Sequence, residues 1–175
     1  FDPGLVGTDT VSVTVSDFAA VLGDTAPATA SFTLSTTANP PAIAGLDGDS
    51  PASAAGATVA VDAGASATVS DADSATFDGG LLTVAREASL SGDFSLAGSG
   101  ATGVSAGTTA GDADGTIAVG ETVFVDGTAV GTVVAGADGQ GGADLAVALS
   151  AAAERSDQGG SGSAAAVLNA LRYTG

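Results

Sequence analysis

Alternation of apolar and polar positions dominates this chain. Thr10 to Asp17 reads Thr-Val-Ser-Val-Thr-Val-Ser-Asp, so Val11, Val13 and Val15 fall on one side of a strand and the hydroxyl residues on the other. Ala28 to Thr36 alternates again, with Phe32 and Leu34 inward. The two runs predict a β-hairpin whose long connection is Asp17 to Pro27. Further on, Asp126-Gly127 stands between two alternating apolar runs. That dipeptide is a strong hairpin signal, because both central residues of a type I′ turn need positive φ. A two-residue loop pairs Val125 with Thr128 and Val123 with Val130, which puts Val123, Val125 and Val130 on one face. Leu145, Val147 and Leu149 alternate with alanine and predict a third strand there.

Shorter runs predict strands at Ile43 to Asp49, Ala57 to Asp62, Ser66 to Ser70 and Leu81 to Ala85, with Leu82 and Val84 in the core. Ser89 to Gly115 is rich in Gly, Ser and Ala and weakly patterned; Phe94 and Leu96 anchor one strand in it. Ala151 to Ser163 reads as a flexible acidic and Gly/Ser-rich segment. A short helix starts near Ala164, capped by Ser161 or Ser163. Val167, Leu168 and Leu171 share one face at helical spacing. At roughly 8–10 residues this helix needs a sheet to pack on. Tyr173-Thr174-Gly175 reads as the start of a further strand. The fold class is all-β, a sandwich with one short C-terminal helix.

Composition changes this picture in two ways. Although 45% of the 175 residues are hydrophobic, aromatics are only 4%, so the core is built mainly from small side chains. Formal net charge is −17, from 3 arginines against 17 Asp and 3 Glu, with no Lys. A nucleic-acid partner is not expected without a basic face. The Asp excess fits solubility and turn chemistry, or calcium binding, or life in high salt.

Cys, His and Met are absent. That removes disulfides and the usual general base, and with Lys also missing nothing is at hand to activate a serine. Few aromatics argue against a glycosidase-like carboxylate pair with stacking platforms. The glycines at Gly139 to Gly142 and Gly159-Gly160 lack a strand–loop–helix setting and a lysine, so they read as loops rather than phosphate cradles. An enzyme is not expected. No run of 18 apolar residues exists, so no membrane span is expected. The chain without Met reads as a processed product or an internal piece.

The candidate metal ligands are Asp71 and Asp73, with Asp112 and Asp114 next. Carboxylates at i and i+2 in a loop can turn onto one hard cation, with carbonyls and waters completing its shell. Asp47 and Asp49 form a third such pair. No full twelve-residue calcium loop is present, and side-chain capping of turns is the competing account.

Two stretches resemble tandem-repeat domains of giant bacterial secreted surface proteins, of the cadherin-like, immunoglobulin-like kind. The first comprises Gly45 to Asp49, Val61 to Gly64, Thr68 to Ser74 and Phe77 to Val84. The second comprises Val123 to Val134, Leu145 to Leu149 and Ala166 to Thr174. Thr10 to Asp17 resembles the penultimate strand of such domains. Residues 97–110 depart from the pattern and look like an insertion.

The resemblance implies an immunoglobulin- or cadherin-like sandwich in an extracellular adhesin, filament or calcium-stiffened stalk at the cell surface. The expected organisation is a hairpin at 1–37 completing a neighbouring sandwich, a Pro-rich linker at 38–42, and a sandwich at 43–175 that lacks its final strands. The linker holds Asn39-Pro40-Pro41, which cannot continue a ladder. The expected partners are copies of the chain itself, head to tail, as covalent repeats or by strand donation. The competing class is an adhesive module that binds a carbohydrate or a surface.

Overall fold

A computed structural model describes residues 7–15, 28–36, 39–46, 54–85, 91–98, 103–154 and 162–175. The chain divides into two compact units, Phe1–Pro40 and Pro41–Gly175.

In the first unit, β1 (Gly7–Val15) and β2 (Ala28–Thr36) form a two-stranded antiparallel sheet. Val11 stands opposite Phe32, Val13 opposite Ala30 and Asp9 opposite Leu34. The hairpin expected from alternation is present; its connection lies outside the described residues.

The second unit contains β3 (Ala42–Ala44), β4 (Thr58–Ala60), β5 (Thr68–Ser70), β6 (Leu81–Val84), β7 (Asp93–Leu96) and β8 (Val104–Gly107). It continues with β9 (Thr122–Val125), β10 (Thr128–Asp138), β11 (Leu145–Leu149), helix α1 (Ser163–Ala170) and β12 (Leu171–Thr174). Among the described residues these strands form three antiparallel sheets. One has five strands in the order β6-β11-β10-β9-β8, one has three in the order β4-β12-β7, and one pairs β3 with β5. The core draws Leu82, Val123 and Val147 from the first, Phe94 and Leu171 from the second, Val69 from the third, and Val167 and Leu168 from α1. The fold is all-β and sandwich-type, with one short helix near its C-terminus.

The β9–β10 hairpin turns at Asp126-Gly127 with φ of 47° and 78°, as the sequence predicts. Val125 pairs with Thr128, but Val123 pairs with Gly131 rather than Val130. The register shifts between Ala129 and Gly131, so one extra residue enters β10. The bulge still buries Val130 completely, and it aligns Gly131 with Leu149 of β11. A Cβ on Gly131 would lie 2.6 Å from the Val147 side chain and 2.7 Å from the Ala148 carbonyl oxygen.

Three further differences matter. Residues 97–110 carry β8, whose four residues Val104 to Gly107 are all buried. Small side chains enclosed on both faces do not alternate, which is why the pattern is silent there. Helix α1 is not capped by a serine: the N-cap is Gly162, with φ of 52° and no side-chain cap, and Ser163 is already helical. The Ser163 hydroxyl instead donates to the Ala152 carbonyl (2.8 Å) and accepts the Glu154 N–H (2.8 Å), tying α1 to the chain leaving β11. Ser161 lies outside the described residues. Finally, the strand expected from Tyr173 is present as β12, but it starts two residues earlier, at Leu171, and is the central strand of its sheet. Arg172 pairs with Ala60 on one side and Ser95 on the other. Leu171, expected on the helix face, opens this strand and is 1% exposed.

Candidate functional site

Asp71 and Asp73 follow β5 directly. The Asp71 Oδ1 accepts the N–H groups of Asp73 (3.1 Å) and Ser74 (3.3 Å). This is an Asx-type turn, in which a carboxylate satisfies backbone donors two and three residues on. The half-buried pair therefore shapes the exit from β5.

Asp112 and Asp114 lie in the loop between β8 and β9. Ala113 between them is buried, while both aspartates are exposed. The loop folds back along β8: the Ala106 N–H donates to the Asp114 carbonyl and the Asp114 N–H to the Ala106 carbonyl, each at 2.9 Å. Gly107 makes this approach possible, since a Cβ there would sit 2.6 Å from the Ala113 Cα. Asp112 accepts the Thr108 hydroxyl, the Thr109 N–H (2.6 Å) and the Thr109 hydroxyl (2.9 Å). Asp114 accepts the Thr116 hydroxyl and the Thr116 N–H (2.7 Å). These donors hold both carboxyls below the usual aspartate range, led by the Thr108 hydroxyl for Asp112 and the Thr116 hydroxyl for Asp114. The Asp112 charge pushes Asp114 the other way, weakly, so the two carboxylates lie within electrostatic reach of each other.

The Asp71 pair and the Asp112 pair do not combine. Among the described residues no three acidic side chains converge on a point that could hold a metal ion. Asp47 and Asp49 lie outside the described residues.

Among the described residues, the most buried acid is one the sequence pattern does not single out. Asp62, just after β4, is 1% exposed. Its Oδ1 accepts the Gly64 N–H at 3.0 Å and its Oδ2 the Ala67 N–H at 2.7 Å. The spacing Asp62-Ala63-Gly64 is an Asx-turn signature, and that was the available signal. On the same segment, the Ala67 carbonyl accepts the Asn169 amide of α1 at 3.3 Å. Asp62 thus fixes the β4–β5 corner onto which the helix packs.

One open surface is concave. A shallow trough of about 510 Å³ runs over the outer face of the five-stranded sheet, lined by Asp78, Gly79, Thr122, Thr132, Ala148 and Leu149 among others. The register explains it: Ala148, Thr132 and Thr122 are successive partners across β11, β10 and β9. A row of small residues leaves space that larger ones would fill. No aromatic side chain lines it. Among the described residues no helix is long and apolar enough to cross a membrane.

No protein-family model matches this chain, and no curated protein or solved structure matches it either.

Proposed function

We propose that this chain is a structural repeat unit of an extracellular bacterial filament, surface layer or giant adhesin stalk, assembling head to tail with copies of itself. The observation that carries this reading is the β1–β2 sheet. Two nine-residue strands pair with each other and, among the described residues, with no third strand. A two-stranded ribbon is marginal in water and needs another sheet to rest on. Donation to a neighbouring unit meets that need. The resemblance of most of residues 42–175 to cadherin-like and immunoglobulin-like repeats supports the same assignment, as does an acidic chain without His, Lys or Cys.

Sedimentation velocity on the full chain, over a wide concentration range in molar salt, tests it. The expected result is an open-ended series of species that grows with concentration. A single monomer at every concentration removes non-covalent assembly from the reading.

Calcium at Asp71–Asp73 or Asp112–Asp114 is part of this proposal. Saturation at 100 times the dissociation constant stabilises the folded state by about 2.7 kcal/mol. Calcium-loaded protein should therefore melt lower in excess chelator, and superimposable melting curves remove the metal from the account.

The trough favours a second reading, an adhesive module for a carbohydrate or a surface. Loss of binding to a glycan panel on Thr132→Lys would establish it; no binding by the unmodified chain disposes of it.

A further inference from the structure

We infer that the free edge of β6 is the acceptor for this assembly, and that its occupant is strand β2 of a second copy. The inference rests on the head-to-tail reading and names the surface that reading requires.

Backbone geometry identifies the edge. The Leu149 N–H donates to the Gly80 carbonyl at 2.9 Å, so Gly80 directs its hydrogen-bonding groups toward β11. Successive residues of a strand alternate in this direction. With Leu82 opposite Val147 and Val84 opposite Leu145, those two also face β11. Leu81 and Thr83 therefore direct their N–H and C=O groups to the other side, where no strand lies among the described residues.

Other edges are closed or less suited. That of β8 is occupied by the Asp114 backbone and by Gly98, whose N–H donates to Val104. That of β7 is taken by Gly139 and Gly115, whose carbonyls accept the N–H groups of Phe94 and Leu96. Strand β3 follows Pro41 and has only three residues, and β4 has three residues and no large exposed apolar side chain. Leu81 on β6 is 61% exposed, the highest value among the large hydrophobic residues described. It stands beside Ala148 at the border of the trough. Strand β6 carries no charge, proline or bulge, the devices that normally blunt an edge.

Charge selects the occupant. On a chain of net charge −17, a docking segment that brings carboxylates is repelled, and Asp78 at the trough adds to the repulsion. Strand β2 has no charged residue in nine, whereas β1 carries Asp9. It is longer than β6 and so can cover it with residues to spare. An added strand on β6 gains main-chain hydrogen bonds and lies alongside the apolar Leu81.

Two variants of the full chain test this in molar potassium chloride, with far-UV circular dichroism confirming that each folds. Thr83→Pro removes one outward N–H from the acceptor; proline is tolerated on an edge strand with its ring toward solvent. The double variant Ser31→Asp/Thr33→Asp charges the donor. Each alone should weaken self-association by roughly tenfold or more. Mixed together they should give a 1:1 dimer that does not elongate, because one retains only a donor and the other only an acceptor. If Thr83→Pro fails to fold, Leu81→Asp replaces it. An acceptor variant that assembles like the unmodified chain overturns the β6 assignment and leaves head-to-tail assembly standing. An unmodified chain that stops at a symmetric dimer, unaffected by the β2 charges, shows that β6 pairs with itself and overturns the inference. A wholly monomeric unmodified chain overturns the inference and removes non-covalent assembly from the reading on which it rests.

Discussion

Asp62 and Ala67 are five residues apart, and the carboxylate of the first accepts the N–H of the second at 2.7 Å inside the protein. Asp62→Ala strands this buried N–H and also releases Gly64. The expected cost is about 1–3 kcal/mol, from leaving a buried donor unsatisfied. Asp62→Asn retains one acceptor oxygen and should cost less. Urea unfolding of the three proteins decides the point; equal midpoints would mean that the corner does not depend on the carboxylate.

Asp112 and Asp114 make a pH prediction. Their folded-state pKa values lie below the ordinary 3.8. Near that pH the unfolded chain binds more protons than the folded one, so stability rises with pH there. Their contribution is complete above the ordinary value and is lost as pH falls through the folded values. Thr108→Val should move Asp112 back toward 3.8 and leave Asp114 nearly unchanged. Carboxyl-detected NMR titration reads both groups separately.

Two core positions have opposite expectations for size. Leu171 is 1% exposed at the junction of α1 and β12, and Leu171→Ala should cost about 2–5 kcal/mol through the cavity it leaves. Gly131 has no room for a Cβ, so Gly131→Ala should cost about 1–3 kcal/mol through overpacking against Val147 and Ala148. Thermal melts check both. A neutral Gly131→Ala would show that β10 can shift its bulge.

Salt should stabilise the chain. At net charge −17, carboxylate repulsion works against the compact state. At 1 M the Debye length is about 3 Å, which suppresses that repulsion. The melting temperature is expected to be higher in molar potassium chloride than at low salt. A flat or falling trend removes the case for adaptation to high salt.

What the sequence made legible was local. The turn at Asp126-Gly127 depends on two residues, and both adopt the conformation their types favour. Strands β2 and β11 alternate, and each extends over the run its pattern marks. The bulge was hidden because the close approach that accompanies it, Gly131 against Val147 and Ala148, involves a strand some fifteen residues away. Strand β8 was hidden because burial on both faces removes the period.

The acidic loops were legible as residue types only. Asp-x-Asp spacing serves a cation or a turn equally well, and the donors that engage Asp71, Asp112 and Asp114 are neighbouring backbone and hydroxyl groups. Asp62 escaped for another reason. Its Asx spacing is visible, but its neighbours Val61 and Ala67 are held by Leu171 and Asn169, which arrive a hundred residues later.

The central place of β12 sets a timetable for folding. Thr58 on β4 meets Thr174 on β12 across a separation of 116 residues, through a hydroxyl–hydroxyl contact of 2.6 Å. Until the ribosome has made that second segment, β4 and β7 have no strand between them. At about 5–20 residues per second, the wait is about 6–23 s. From their own synthesis until the end of it, Phe94 and Leu96 lack the strand that pairs with β7 in the finished sheet. The three-stranded sheet therefore closes only once β12 is available.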